Sequence, residues 1–147
     1  MQNKQNITDK ILNKKPSEVT DRYWLYAERK IGNYPKPTKN CGKWLIFVPI
    51  IQIDAIWAKV KIATEEGKLG NASKVSTAKP NPNSSNFKKS VICVYTYDWT
   101  DEADTKRIRQ VLRELGITLK IPYKADRETL EGKYANKGDK RISKYYG

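Results

Sequence analysis

Aliphatic side chains are scarce in this chain and confined to a few short runs. Ile, Leu, Val and Phe supply 31 of 147 residues, close to the roughly 20% below which a highly charged chain stays disordered. Part of the chain must therefore fold well while the rest dilutes the average. The longest apolar run, Trp44 to Ile51, is eight residues and contains Pro49, far short of the roughly 20 residues of a membrane helix. Only short strands and amphipathic helices can use such runs. The N-terminus has no apolar h-region, so no secretory leader is expected and the chain reads as cytoplasmic. Two cysteines, Cys41 and Cys93, are too few for a disulfide scaffold or a metal cluster.

The runs order themselves. A helix is expected from about Thr20 to Ile31, capped by Thr20 or Ser17 and stopped at Gly32, with Tyr23, Trp24 and Tyr26 spread over more than one face. NYPKPTKN is a loop, because its prolines and asparagines forbid regular pairing. Lys43–Val48 reads as a buried strand and residues 53–66 as a helix with Trp57 beside the Ile56, Val60 and Ala63 stripe, ended by Gly67. Residues 71–78 suit a short strand, 79–86 a loop, and Ser90–Tyr97 a strand rich in β-branched and aromatic residues. Thr100 is the expected cap of a second helix carrying Ile108, Val111, Leu112 and Leu115 and ending at Gly116. Ile117–Tyr123 alternates as a returning strand would. The order β-α-β-β-α-β implies an α+β fold, a curved, mainly antiparallel sheet with helices on one face. The expected organisation is a basic N-terminal segment (1–15), one domain (16–134) and a basic C-terminal tail (135–147).

Histidine is absent, which removes the commonest general base and metal ligand. No metal or cofactor is expected. The charge is +13, and the two ends, 1–15 and 133–147, carry +7 of it. A surplus of this size points to a polyanionic partner. The best-formed basic feature is the hairpin 73–90, where Lys74, Lys79, Lys88 and Lys89 stand in a stretch free of acids from Asn71 to Ser90. Lysines flanking a loop can converge on one phosphate. Trp44 and Trp57 belong to the core. Trp99 stands at a strand-to-helix junction, and Tyr34, in the Pro-rich loop, is the aromatic expected to be exposed. Asp98, Asp101, Glu102 and Asp104 are explained by helix capping, and Asp126 by a turn or by orienting Lys124. GKLGN lacks the spacing of a phosphate loop, and Cys93 reads as buried packing.

The ordered set GKWLIFVP (42–49), IDAIW (53–57), GKLG (67–70), SKVS (73–76), VICVYTYDWTDEAD (91–104), LRELGI (112–117) and YKAD (123–126) resembles the family of the basophilic leukaemia-expressed protein. Members sometimes carry a phosphothreonine-lyase label, and the fold is similar to that of the cap-binding translation initiation factor of the 4E type. That resemblance implies a nucleotide-type site in which the basic hairpin receives phosphates and Tyr34 takes the place of a base-stacking tryptophan. It also implies an N-terminal pair of strands for which this chain has little room. No glutamate follows Tyr34; Lys36 and Lys39 stand there. A lyase would need a lysine base, with Tyr95 or Tyr123 replacing the missing histidine acid.

Together these readings predict non-catalytic binding of a phosphate-rich ligand, RNA or a nucleotide-type molecule. The expected ligand set is Tyr34, Lys43, Lys74, Lys79, Lys88, Lys89, Tyr95, Trp99 and Lys124. The alternatives are a lysine-based phospholyase and a protein-interaction module.

Overall fold

In a computed structural model of the chain, residues 14–80, 89–127 and 144–147 are described. A short 3-10 turn, Pro16–Glu18, precedes β1 (Trp24–Glu28) and β2 (Gly42–Pro49). Helix α1 (Ile53–Glu65), β3 (Ala72–Ser76), β4 (Lys89–Thr96), α2 (Glu102–Glu114), β5 (Pro122–Ala125) and β6 (Tyr145–Tyr146) follow. The strands form one sheet in the order β1-β3-β4-β2-β5-β6. Every neighbouring pair is antiparallel.

Strand alternation decides which face each residue serves. Trp44, Ile46 and Val48 of β2, Ile92 and Val94 of β4, Val75 of β3 and Ala27 of β1 form one apolar face. Both helices cover it, α1 through Ile53, Trp57, Val60 and Ala63 and α2 through Ile108 and Leu112. The Trp44 indole N–H donates to the Thr105 carbonyl at 3.1 Å, tying the central strand to α2. The fold is thus α+β, an antiparallel sheet with helices on one face. The opposite face carries no helix among the described residues and presents Lys43, Leu45 and Phe47, Val91, Cys93 and Tyr95, Lys74, and Trp24 and Tyr26.

Four expectations need correction. Residues 24–28 are a strand, because Trp24 and Tyr26 take one face while Leu25 and Ala27 pack inward against β3 and α1. Aromatic residues suit that half-buried pleat, and only the stop at Gly32, φ +74°, keeps the expected form. Asp101, not Thr100, caps α2: its carboxylate accepts the Asp104 N–H at 3.1 Å, while the Thr100 hydroxyl donates to Asp98 at 2.6 Å. The returning strand begins only at Pro122. Arg109 donates to the carbonyls of Ile117 (2.9 Å) and Leu119 (2.7 Å), groups a ladder would need, and Leu119 is 83% exposed. Finally, Tyr145–Tyr146, inside the segment expected to be a basic tail, pairs with β5 as an edge strand. The rest of that segment up to 143 and residues 1–13 of the N-terminal segment lie outside the described residues.

Candidate functional site

Register places the expected lysines. Ala72, Tyr95, Lys43 and Lys124 form one transverse row across the helix-free face, and Tyr26, Lys74, Cys93 and Leu45 form the next. Lys74 stands between two rings, its ammonium 3.9 Å from the centre of Trp24 and 6.0 Å from that of Tyr95. The Lys43 ammonium lies 5.7 Å from the Tyr95 ring and donates to Asp126 at 2.5 Å. A ring face attracts a cation without supplying a lone pair to each N–H. Among the described residues Lys74 therefore keeps donors uncommitted and has no carboxylate partner. Cys93 lies beneath this group, 3% exposed, and burial pushes its thiol up to about 11 against the opposing charges of Lys74 and Lys43. Burial likewise holds the Tyr95 phenol well above its ordinary value.

Beside Tyr95 a cavity of about 310 Å³ opens, lined by Tyr34, Pro35, Pro37, Cys41, Tyr95 and Asp126 among others. Its walls are mainly rings and prolines, and among the described residues the Asp126 carboxylate is its only charged lining group. The Cys41 thiol sits 3.4 Å from Asp126, and burial followed by that carboxylate raises the thiol above its ordinary value.

The Pro-rich loop is fixed. Thr38 N–H donates to the Tyr97 carbonyl (3.0 Å) and Trp99 N–H to the Asn40 carbonyl (2.9 Å). Tyr34 is half-buried, against expectation: its hydroxyl donates to Asp104 at 2.6 Å and accepts the Tyr97 N–H at 3.1 Å. Arg29 lies over its ring at 5.2 Å. Tyr34 is thus a wall of the cavity, with its polar end spent on structure. The GKLG turn is no phosphate cradle either, because the N–H groups of Gly67 and Lys68 already donate to Thr64 O (3.1 Å) and Ala63 O (2.9 Å), and its carbonyls are held by guanidinium groups. Arg29 holds Leu69 O at 2.7 Å and Arg107 holds Lys68 O at 2.9 Å.

The remaining expected residues disperse. Lys79 stands 4.4 Å over the Tyr23 ring, past the end of β3. Lys89 begins β4, six residues and about 20 Å of strand from Tyr95. Trp99 packs against the core, with the Tyr145 hydroxyl on its carbonyl and the Lys144 ammonium over its ring. Lys88 lies outside the described residues. Tyr123, a candidate acid, is buried on the helix side and bonded to the Thr96 hydroxyl at 2.6 Å, remote in orientation from the lysine face. Trp24, Cys41 and Asp126, the partner of the expected Lys43, were missed as site residues. Trp24 was hidden by the helical reading of 20–31, and the Lys43–Asp126 pair joins residues 83 apart, which no local spacing reports.

An antiparallel sheet with two helices on one face and a ring-walled cavity on the other defines a fold class already seen in solved proteins. Schistosome eIF4E in complex with m7GpppA and 4E-BP matches with a TM-score of 0.65 at 16% identity, over 97% of this chain and 80% of that one. Eukaryotic factor eIF4E-3 of C. elegans, in complex with the 4E-binding protein Mextli and a cap analogue, matches with 0.60 at 19%, over 86% and 76%. Ascaris suum eIF4E-3 with an m2,2,7G cap matches with 0.55 at 18%, over 82% and 72%. The chain has the eIF4E-like fold. The model of the basophilic leukemia-expressed protein Bles03 family matches residues 10–129, and the chain belongs to that family. No helix among the described residues is long and apolar enough to cross a membrane.

Proposed function

We propose that the chain binds a nucleotide-type, phosphate-bearing ligand on the helix-free face, without catalysis. The observation that carries this is the position of Lys74, held between Trp24 and Tyr95 with no carboxylate partner among the described residues. A phosphate at Lys74 leaves the planar part of the ligand beside Tyr95, where the cavity begins. Lys79 extends the positive field toward the hairpin. The eIF4E structures of the same fold hold cap analogues, which makes a nucleotide the first ligand class to try.

Tryptophan fluorescence tests it, because Trp24 touches Lys74 and reports on the site. Mononucleotides, m7G cap analogues and short RNA are titrated at low and moderate salt. One small nucleotide should saturate with a shallow salt dependence. Charge-assisted hydrogen bonds contribute about 1.5–3 kcal/mol, so Lys74→Glu should weaken binding at least tenfold while circular dichroism stays native. Unchanged affinity in Lys74→Glu would overturn the reading. A steep salt slope common to every polyanion would replace it with nonspecific RNA binding through net charge.

A further inference from the structure

We propose that the free edge of β1 accepts an extended acidic peptide from a partner protein as an additional strand of the sheet. Among the described residues β1 is the terminal strand, bonded on one side only, to β3. Arg29 N–H donates to Asn71 O and Thr77 N–H to Tyr23 O, so odd-numbered residues of this strand face β3. The N–H and C=O groups of Trp24, Tyr26 and Glu28 point away from it. None of these six groups has a partner among the described residues. Next along the chain, Lys30 N–H donates to Glu65 O at 2.9 Å, which closes the edge at that end. The opening is therefore five residues long and evenly spaced.

Open edges normally carry a proline, a lysine or a bulge that repels added strands. β1 reads WLYAE, with a regular register and none of these. Beside it lies a cavity of about 260 Å³ lined by Lys14, Arg22, Trp24, Leu25, Tyr26, Trp57 and Lys61. Among the described residues its charged lining groups, Lys14, Arg22 and Lys61, are all basic. Lys61 has an i,i+4 pair with Glu65 (2.9 Å), and Arg22 has an exposed pair with Asp21 (3.2 Å). The exposed Arg22–Asp21 pair is worth little and can be shared with an incoming carboxylate, whereas Lys61 is largely buried and its partner Glu65 also binds Lys30 at 2.6 Å. Glu28, at the other end, sets direction: the acidic residues of the peptide belong beside Arg22. A second copy is the poorer occupant, because two chains of +13 would bring the same basic groove against itself. Main-chain bonds give such added strands affinity, and side pockets give them specificity.

The test uses a capped nine-residue peptide of alternating valine and glutamate, with two comparators: one with lysine for glutamate and one with alternate amides N-methylated. Affinity is read by fluorescence anisotropy, and amide exchange is followed at Trp24, Tyr26 and Glu28 in the full chain. We expect these three amides to exchange freely in the chain alone and to slow at least tenfold with the acidic peptide. Both comparators should bind at least tenfold more weakly. Tyr26→Pro removes the central outward donor, which β3 does not use, so the sheet should persist while peptide binding is lost. The N-methylated peptide keeps the test decisive if that variant fails to fold. Slow exchange at these amides in the isolated chain, whether from residues 1–13 or a second copy, would overturn the proposal. Binding without slowed exchange there, or equal binding of the lysine peptide, would overturn it as well.

Discussion

Asp101 holds two groups at once. One carboxylate oxygen caps α2 through the Asp104 N–H, and the other accepts the Tyr97 hydroxyl. The phenol and then the amide hold its pKa low, while that hydrogen bond and burial push Tyr97 up to about 12. The signs are opposite. The Asp101 contribution is complete above the ordinary carboxylate value of 3.8 and is lost as pH falls through the lower folded value. That of Tyr97 is complete below 10.0 and is lost as pH rises toward about 12. Asp101→Ala should lower the Tm by a few degrees, because the Asp104 N–H loses its cap and the Tyr97 hydroxyl its acceptor. It should also return the Tyr97 phenol toward 10.0 in an ultraviolet titration. The sequence DWTDEAD announced a cap but not which residue would serve. Thr100 loses because its hydroxyl and N–H both turn to Asp98, at 2.6 and 2.8 Å. Cys41 offers a second probe at this scale, since burial and the Asp126 charge raise its thiol above 9.0. Alkylation by iodoacetamide should therefore have its midpoint above that pH. Asp126→Asn should lower it, because the opposing carboxylate is gone while the Lys43 charge remains.

Central elements were legible and edge elements were not, for a physical reason. β2 and β4 are flanked by strands on both sides and covered by helices, so their apolar runs are long enough to identify them without tertiary context. β1 and β6 lie at the two edges and bury few side chains. Their identity is settled by partners far along the chain. Arg109 shows how: it is 5% exposed and donates to Gly147 O (2.7 Å), Ile117 O and Leu119 O from one guanidinium. A single arginine so placed turns an alternating segment into a loop and brings the last residues back to Ile121, which exchanges hydrogen bonds with Gly147 at 2.9 and 3.1 Å. Arg109→Met should leave three carbonyls without a charged donor. Allowing about 1–3 kcal/mol for each partner lost, we expect a destabilisation of about 3 kcal/mol or more. The amides of Ile121 and Gly147 should lose exchange protection before those of β2 and β4. Uniform loss across the sheet would mean that Arg109 supports the whole core and not this edge.

At the scale of the whole molecule, a charge of +13 acts in two ways that must be separated. Collectively, like charges repel one another in the folded state, and any salt relieves that by screening. Locally, a polyphosphate held at Lys74 stabilises only the folded chain, by an amount set by its concentration relative to its Kd. The two differ in what they depend on: screening follows ionic strength, whereas a site follows the identity of the anion and the presence of one lysine. Thermal unfolding with tripolyphosphate should therefore give a higher Tm than sodium chloride at equal ionic strength. At a hundred times Kd the excess corresponds to about 2.7 kcal/mol, or about 8 °C for a chain of this size. Lys74→Glu should abolish most of the excess while keeping the chloride response nearly intact, because it changes the net charge by only two of thirteen. Lys89→Glu, which changes the charge equally but lies four residues, about 14 Å of strand, from Cys93, the β4 residue paired with Lys74, should keep the excess. If the two reversals reduce it by the same amount, the anion is answering to total charge, and the helix-free face holds no formed site.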